Sequence, residues 1–495
     1  MFHGRTATFA GTLVILMLTM IPAFAHIPIG HGTKPPPSPP PSTGTSWIKA
    51  YNIPYSYARA ESIAQTTGGG YVVGGSCEGG TYTSACADVS EPAAIVMTVD
   101  SSGNIQSQTQ YLYKNYPYST PSGLIRPTAD GGAIFAGNAQ FGCPATGQTS
   151  CASIVKVDPT GKIQWANDLQ FSTSSSYGPE TWPFDLQTTT DGGFVIAGYT
   201  FAPAGSYNPF VVKLSSTGQI QWQHIFADAT GGYGWAYSVE QTPDGGYIVG
   251  GGINYVVTSS YTESDILVFK LDSTGALVWQ HSYLVGDESY VDSLALTSDG
   301  GYIVSGSASA TTGTSYSSSI LLLKLDSAGN PQFARTYTPS GSISDLNIIG
   351  AQQTADGGYA FAGYYFQNTI YDYRAWLVKT DSAGNVQWDK IYGADVQYSD
   401  RKFLSFQQTS DGGFIAAGYA NQYDINNGYN SLWIVKTDSN GNISGCSDVK
   451  NGSDTSGSAT VKVSNTDLTA AQNSVSYVAD TLNAITAPFK ATKEC

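Results

Sequence analysis

One motif, Thr-x-Asp-Gly-Gly-[Tyr/Phe] followed by a short β-branched or small apolar run ending in Gly, recurs with its Asp at 130, 191, 244, 299, 356 and 411. It degenerates to Gly68 in a first copy. A second motif, apolar-apolar-Lys-x-Asp-Ser-x-Gly leading to an aromatic residue, starts at Asp100, Asp158, Ser215, Asp272, Asp326, Asp381 and Asp438. The copies lie 53 to 62 residues apart in the first series and 54 to 58 in the second. Two motifs held in register through seven copies define seven units of one kind, none of which could bury its apolar surface alone.

Each motif is a hairpin turn with a strand on either side. Asp-Gly-Gly supplies the positive-φ positions that a tight turn needs, and runs such as Phe194-Val195-Ile196 supply the β-prone strand after it. Every unit thus yields four antiparallel strands, here a to d. Seven four-stranded units describe an all-β fold, a seven-bladed β-propeller. Strand d begins with an aromatic residue: Trp165, Trp222, Trp279, Phe333 and Trp388, with Ser107 in the first full copy. After Asp438 that strand is missing, but Trp47-Ile48-Lys49-Ala50-Tyr51 matches Trp388-Asp389-Lys390-Ile391-Tyr392. The N-terminal strand is therefore expected to complete the last blade and close the ring, leaving no open seam.

The ring takes up residues 47–446. Before it, residues 1–25 read as a secretory signal peptide, with Arg5, the apolar run Leu13 to Met20 and a cleavage site at Ala23-Phe24-Ala25. Residues 26–46 read as a Pro-rich linker, and no transmembrane segment is expected in the mature chain. Residues 447–495 form a C-terminal extension in which Leu468, Ala471, Val475, Val478, Leu482 and Ile485 suit one face of a helix. Thr460 to Val463 and Val475 to Val478 equally suit strands. The six cysteines fall into three local-looking pairs, Cys77 with Cys86, Cys143 with Cys151, and Cys446 with Cys495, expected as structural disulfides of a secreted or cell-surface protein. The last of these would tie the extension back to the ring.

Charged residues make up 12% of the chain, with 22 Lys+Arg against 37 Asp+Glu and a net charge of −15, which excludes a basic nucleic-acid-binding surface. Function is expected elsewhere. The a–b and c–d turns share one uniform rim, whereas the b–c loops and d–a crossovers share the other, where every copy differs and binding residues usually sit. Candidates on that variable face are Tyr57, Arg59, Tyr118, Trp182, Tyr233, Trp235, Tyr290, Tyr398 and Arg401. Aromatic faces of this kind stack on sugars or anchor a protein partner. Glu180, Asp185, Glu240, Asp287, Glu288, Asp292 and Asp400 could supply a carboxylate pair for glycoside hydrolysis. His224 and His281 share one strand-d position and read as surface residues, and His26 with His31 lacks a third metal ligand. No catalytic residue, metal or cofactor is expected.

Taken as T-x-D-G-G-[YF]-x-x-x-G followed by [ILV]-V-K-x-D-x-x-G-N-x-x-W, residues 47–446 resemble the exported repeat propellers of bacteria and archaea, a group of mostly extracellular or cell-surface proteins. The resemblance implies the fold and carries no functional residue, since its motifs are scaffold turns. The leading expectation is a non-catalytic module that binds a glycan or protein partner through the variable face. The alternatives are an extracellular carbohydrate-active enzyme using the carboxylates of that face, and a structural component of an envelope or matrix assembly.

Overall fold

The computed structural model describes residues 46–493, except 54–55, 80–85, 87–92, 114–119, 140–149, 172–179, 202–205, 229–231, 259–260, 313–314, 394–399, 422–428 and short links within 447–489. The expected signal peptide and nearly all of the expected linker lie outside these residues. Every regular element among them is a strand, 35 in all, arranged in seven sheets. Strands a to d of blade 1 are Ser56–Gln65, Tyr71–Gly79, Ala93–Val99 and Ile105–Tyr113, and the pattern repeats to blade 7. The protein is a seven-bladed β-propeller.

Strands b and c are covered on both faces, which explains why they read as nearly continuous apolar runs instead of alternating ones. In blade 4, Ile266 and Val268 enter the core shared with blade 5, whereas Leu267 and Phe269 enter the core shared with blade 3. Successive side chains of one strand point to opposite faces, so a single strand serves two interfaces.

The two motifs meet within each blade. In blade 3 the Asp191 carboxylate accepts from the Thr189 hydroxyl, from the Gly193 amide at 3.0 Å and from Lys213 Nζ at 2.9 Å. Lys213 is the lysine of the second motif, and its buried stem lets the ammonium reach the a–b turn. The same ion pair joins Lys156 to Asp130, Lys270 to Asp244, Lys324 to Asp299, Lys379 to Asp356 and Lys436 to Asp411. Blade 1 has lost both partners together: Gly68 stands for the Asp and Thr98 for the Lys, and the Thr98 hydroxyl instead meets Ser107 Oγ at 2.7 Å.

Strand d fastens each blade to the next. Trp222 packs over Gly275, whose positive φ (84°) bars a side chain from the space the indole fills. Four residues after the aromatic position, tyrosines 111, 283, 337 and 392 donate their hydroxyls to the carbonyls of Gly161, Gly329, Gly384 and Gly441 in the following blade. Leu169 and Phe226 hold this place in blades 2 and 3, where the hydrogen bond is absent.

Closure follows the expected route. Trp47–Asn52 pairs antiparallel with Asn430–Thr437, setting Ala50 opposite Trp433, and so becomes strand d of blade 7. Side chains of blade 7 such as Ile415 and Ile434 share one buried core with Ile63, Val73 and Ile95 of blade 1.

The extension is entirely strand in its regular parts, which settles the helix-or-strand ambiguity. Its seven short strands add a fifth, outermost strand to every blade in reverse order. They pair in turn with blades 6, 5, 4, 3, 2 and 1 and finally with Trp47–Asn52 of blade 7. Cys77 and Cys86 form the expected disulfide. Cys151 and Cys446 are also disulfide-bonded, and their expected partners, Cys143 and Cys495, lie outside the described residues.

Candidate functional site

The seven a strands surround a central channel with a cavity of about 460 Å³. A β-bulge interrupts strand a at the same place in blade after blade, between Ala60 and Ser62, Pro183 and Asp185, Ala236 and Ser238, Val291 and Ser293, and Phe403 and Ser405. A bulge re-aims a side chain, and the residues it inserts here, Glu61, Phe184, Tyr237, Asp292 and Leu404, all line the channel. Plain alternation along strand a therefore misassigns which residues face the axis.

The wall is asymmetric, with its charged residues Glu61, Arg126, Asp185, Glu240 and Asp292 on blades 1 to 5. Asp185 is buried and saturated: it accepts from Arg126 Nη2 at 3.1 Å, from its neighbour Leu186 N at 2.8 Å and from Val239 N of the next blade at 2.9 Å. Glu240, on that next blade, accepts from Leu296 N at 3.3 Å. Burial, reinforced by the charge of Asp185, pushes its carboxyl up to about 7. Asp292 is exposed toward the channel, yet desolvation by the surrounding ring pushes its carboxyl up to about 7 as well.

Above these carboxylates an aromatic ladder climbs blades 3 and 4 to the variable face. Phe184 lies 4.8 Å from Tyr237 on the channel wall and 5.4 Å from Tyr199. Trp182 stacks on Tyr199 at 6.3 Å with an interplanar angle of 11°, and Tyr207 meets Tyr199 edge-on at 5.2 Å. Tyr233, 37% exposed, continues the ladder from Tyr207 at 6.5 Å.

A second cluster stands across the mouth on blades 6 and 7. The Lys402 ammonium lies 3.4 Å from the ring centroid of Tyr373, 4.5 Å from Tyr364 and 6.0 Å from Tyr419. Tyr373 donates its hydroxyl to Asp345. Desolvation lowers the lysine's pKa, against the opposing pull of Asp345 and Asp400.

Among the residues expected to bind, the structure brings Trp182 and Tyr233 together in the ladder. Trp235 is half-buried beside it, with Gly252 next to its ring. Tyr290 is 43% exposed with its hydroxyl on Glu288, one blade further round. Tyr57, 42% exposed, meets Tyr429 edge-on at 4.9 Å, and Arg59 lies 3.9 Å from Glu61 and from Glu78. Arg401 is buried against Trp433 and so does not present itself on the open face. Tyr118 and Tyr398 lie outside the described residues. Sequence reasoning missed Phe184, Tyr199, Tyr364, Tyr419 and Lys402. A signal for three of them exists: Tyr199, Tyr364 and Tyr419 each directly follow the Gly that ends the first motif, where other blades carry Ser76, Asn138, Gly252 or Ser307.

No protein-family model matches the chain, and no curated protein matches it. Among solved structures, a protein of unknown function from Bacteroides caccae aligns at 10% identity over 70% of this chain and 93% of its own, with a TM-score of 0.32. MPT-4, a mannose phosphorylase from Leishmania mexicana, aligns at 12% identity over 54% of this chain and 86% of its own (TM-score 0.28). An endo-1,5-alpha-L-arabinanase from Thermotoga petrophila RKU-1 aligns at 13% identity over 78% of this chain and 100% of its own (TM-score 0.24). Likeness at this level bears on neither activity nor substrate.

Proposed function

We propose that this propeller is an exported carbohydrate-binding module that holds a neutral glycan at the mouth of its channel without cleaving it. The observation that carries this reading is the continuous ladder of Trp182, Tyr199, Phe184 and Tyr237, which leads from the variable face to the channel wall beside Asp292. Aromatic faces offer apolar platforms to the C–H faces of sugar rings, while carboxyls close by take the hydroxyls. An acidic wall and a net charge of −15 disfavour an anionic polymer. Export accords with the disulfides. A glycan array followed by polysaccharide retention assays tests the reading, with Trp182→Ala and Tyr237→Ala as the variants expected to lose retention.

One observation favours a second reading, glycoside hydrolysis. Glu240 and Asp292 have carboxyls near 7, suited to a general acid, close to Asp185, which is paired with Arg126. Against it, Asp185 spends its oxygens on Arg126 and backbone amides, which leaves no lone pair aimed at a water or a sugar carbon. Release of reducing sugar that disappears in Glu240→Gln would favour this second reading.

A further inference from the structure

The extension leaves the ring and returns to it at the same place. Ser444 N donates to Ser46 Oγ at 3.1 Å, just before Cys446, and at the far end Lys493 pairs with Lys49, two residues before Cys495. Between these points the chain visits every blade, with its strands starting at 449, 454, 461, 468, 475, 482 and 490. The commonest step is seven residues, which in extended chain covers about 23 Å. From Cys446 to Cys495 the chain advances 49 residues (495 − 446), about 160 Å when extended, and along the way it adds a strand to each of the seven blades. The extension therefore makes one full turn around the propeller, pairing with every blade once.

We propose that residues 446–495 form a covalent hoop, closed by a disulfide between Cys446 and Cys495, whose function is to keep the ring from opening. The blades are otherwise joined into a circle by hydrogen bonds and packing at a single seam, where Trp47–Asn52 meets Asn430–Thr437. The seam cannot part widely while a closed loop surrounds all seven blades, because the fifth strands would have to be stripped from their edges in concert. A hoop with free ends could peel one blade at a time from Lys490–Lys493, the strand laid on the N-terminal seam strand itself. The same strands cover the seven d edges that would otherwise offer unpaired backbone groups to another chain. Cys446 is bonded and half-buried against the core of blades 6 and 7, as an anchor for such a loop requires.

Peptide mapping of the unreduced protein, combined with unfolding kinetics in guanidinium, tests this. Three forms are compared: the intact protein, the Cys446→Ser/Cys495→Ser double variant, and a variant with a protease site inserted at 465–467 and cut after folding. Mapping is expected to find Cys446 linked to Cys495, and both opened forms are expected to unfold at least tenfold faster than the intact one and at similar rates. The cut form folds with its disulfide in place, so it decides the matter even if the double variant does not fold. A Cys446–Cys143 peptide, or unfolding of the cut form within twofold of the intact rate, would overturn the proposal.

Discussion

Tyr51 donates its hydroxyl to the carbonyl of Gly103 at 2.7 Å, across the only interface where the last blade meets the first. Other blade pairs repeat this bond between segments that follow one another in the chain, but here it links the N-terminal strand to blade 1 and so helps fix the ring's closure. Burial holds the Tyr51 hydroxyl well above its ordinary pKa, so it remains a donor at any pH the fold survives. Tyr51→Phe keeps the ring and leaves a buried carbonyl unpaired, at an expected cost of about 1–2 kcal/mol. Denaturant titration would measure it. Phe226, at the equivalent place in blade 3, shows that the position accepts the shape, so the expected loss is the hydrogen bond alone.

Blade 1 offers a double-mutant cycle on the pairing of the two motifs. Thr98→Lys alone places an ammonium beside Gly68 with no carboxylate in reach, an expected loss of about 1–3 kcal/mol. Gly68 has ordinary backbone geometry and no heavy atom closer to a new Cβ than Thr66 Oγ1 at 3.9 Å, so Gly68→Asp is expected to be nearly neutral. The double variant should recover stability through a coupling of about 0.5–3 kcal/mol. Additive effects would refute the assignment of this ion pair as the link between the motifs.

Acid should destabilise the fold in a defined window. Hydrogen bonds from their turn threonines and amides, together with the lysine charges, outweigh desolvation and hold the carboxyls of Asp130, Asp191 and Asp244 down to about 2. A depressed carboxyl contributes stability that is fully present above its unfolded pKa, near 3.9, and is lost as pH falls through the folded value. Thermal melting should therefore decline between about pH 4 and pH 2, and Asp191→Asn should lower the melting temperature at pH 6 more than at pH 2.

The channel carboxyls carry the opposite sign. With Glu240 raised to about 7, the folded protein binds more protons than the unfolded chain between roughly pH 4.5 and pH 7, so stability falls as pH rises through that range. Glu240→Gln removes the titration and is expected to raise the melting temperature at pH 8 while changing it little at pH 4. Parallel melting curves for the two proteins would contradict the environment described for Glu240.

Scaffold and site were unequally legible in the sequence. The blades could be read because Asp-Gly-Gly and Asp-Ser-x-Gly are turns whose backbone demands recur with the fold, and the seam because Trp47 to Tyr51 repeats Trp388 to Tyr392. The extension could not, since Val461, Leu468, Val475 and Leu482 are spaced by seven residues, which is both two turns of helix and the distance between neighbouring blade edges. The channel was hidden by its bulges: each breaks the two-residue period of strand a, so Phe184 and Asp292 reach the axis out of phase, while Arg401, which precedes the bulge of its own strand, was misjudged because nothing in the sequence marks its burial against Trp433. What distinguishes this propeller functionally lies where the repeat is broken, and repeat logic does not extend there.

The central functional claim is tested most directly by applying the purified protein and its Trp182→Ala variant to an array of neutral plant and microbial glycans, while assaying the same polysaccharides for released reducing ends. The account predicts retention of at least one neutral glycan class, weakened tenfold or more by Trp182→Ala, with no cleavage. Binding that is indifferent to Trp182, or products that accumulate with the wild type and vanish in Glu240→Gln, would contradict it.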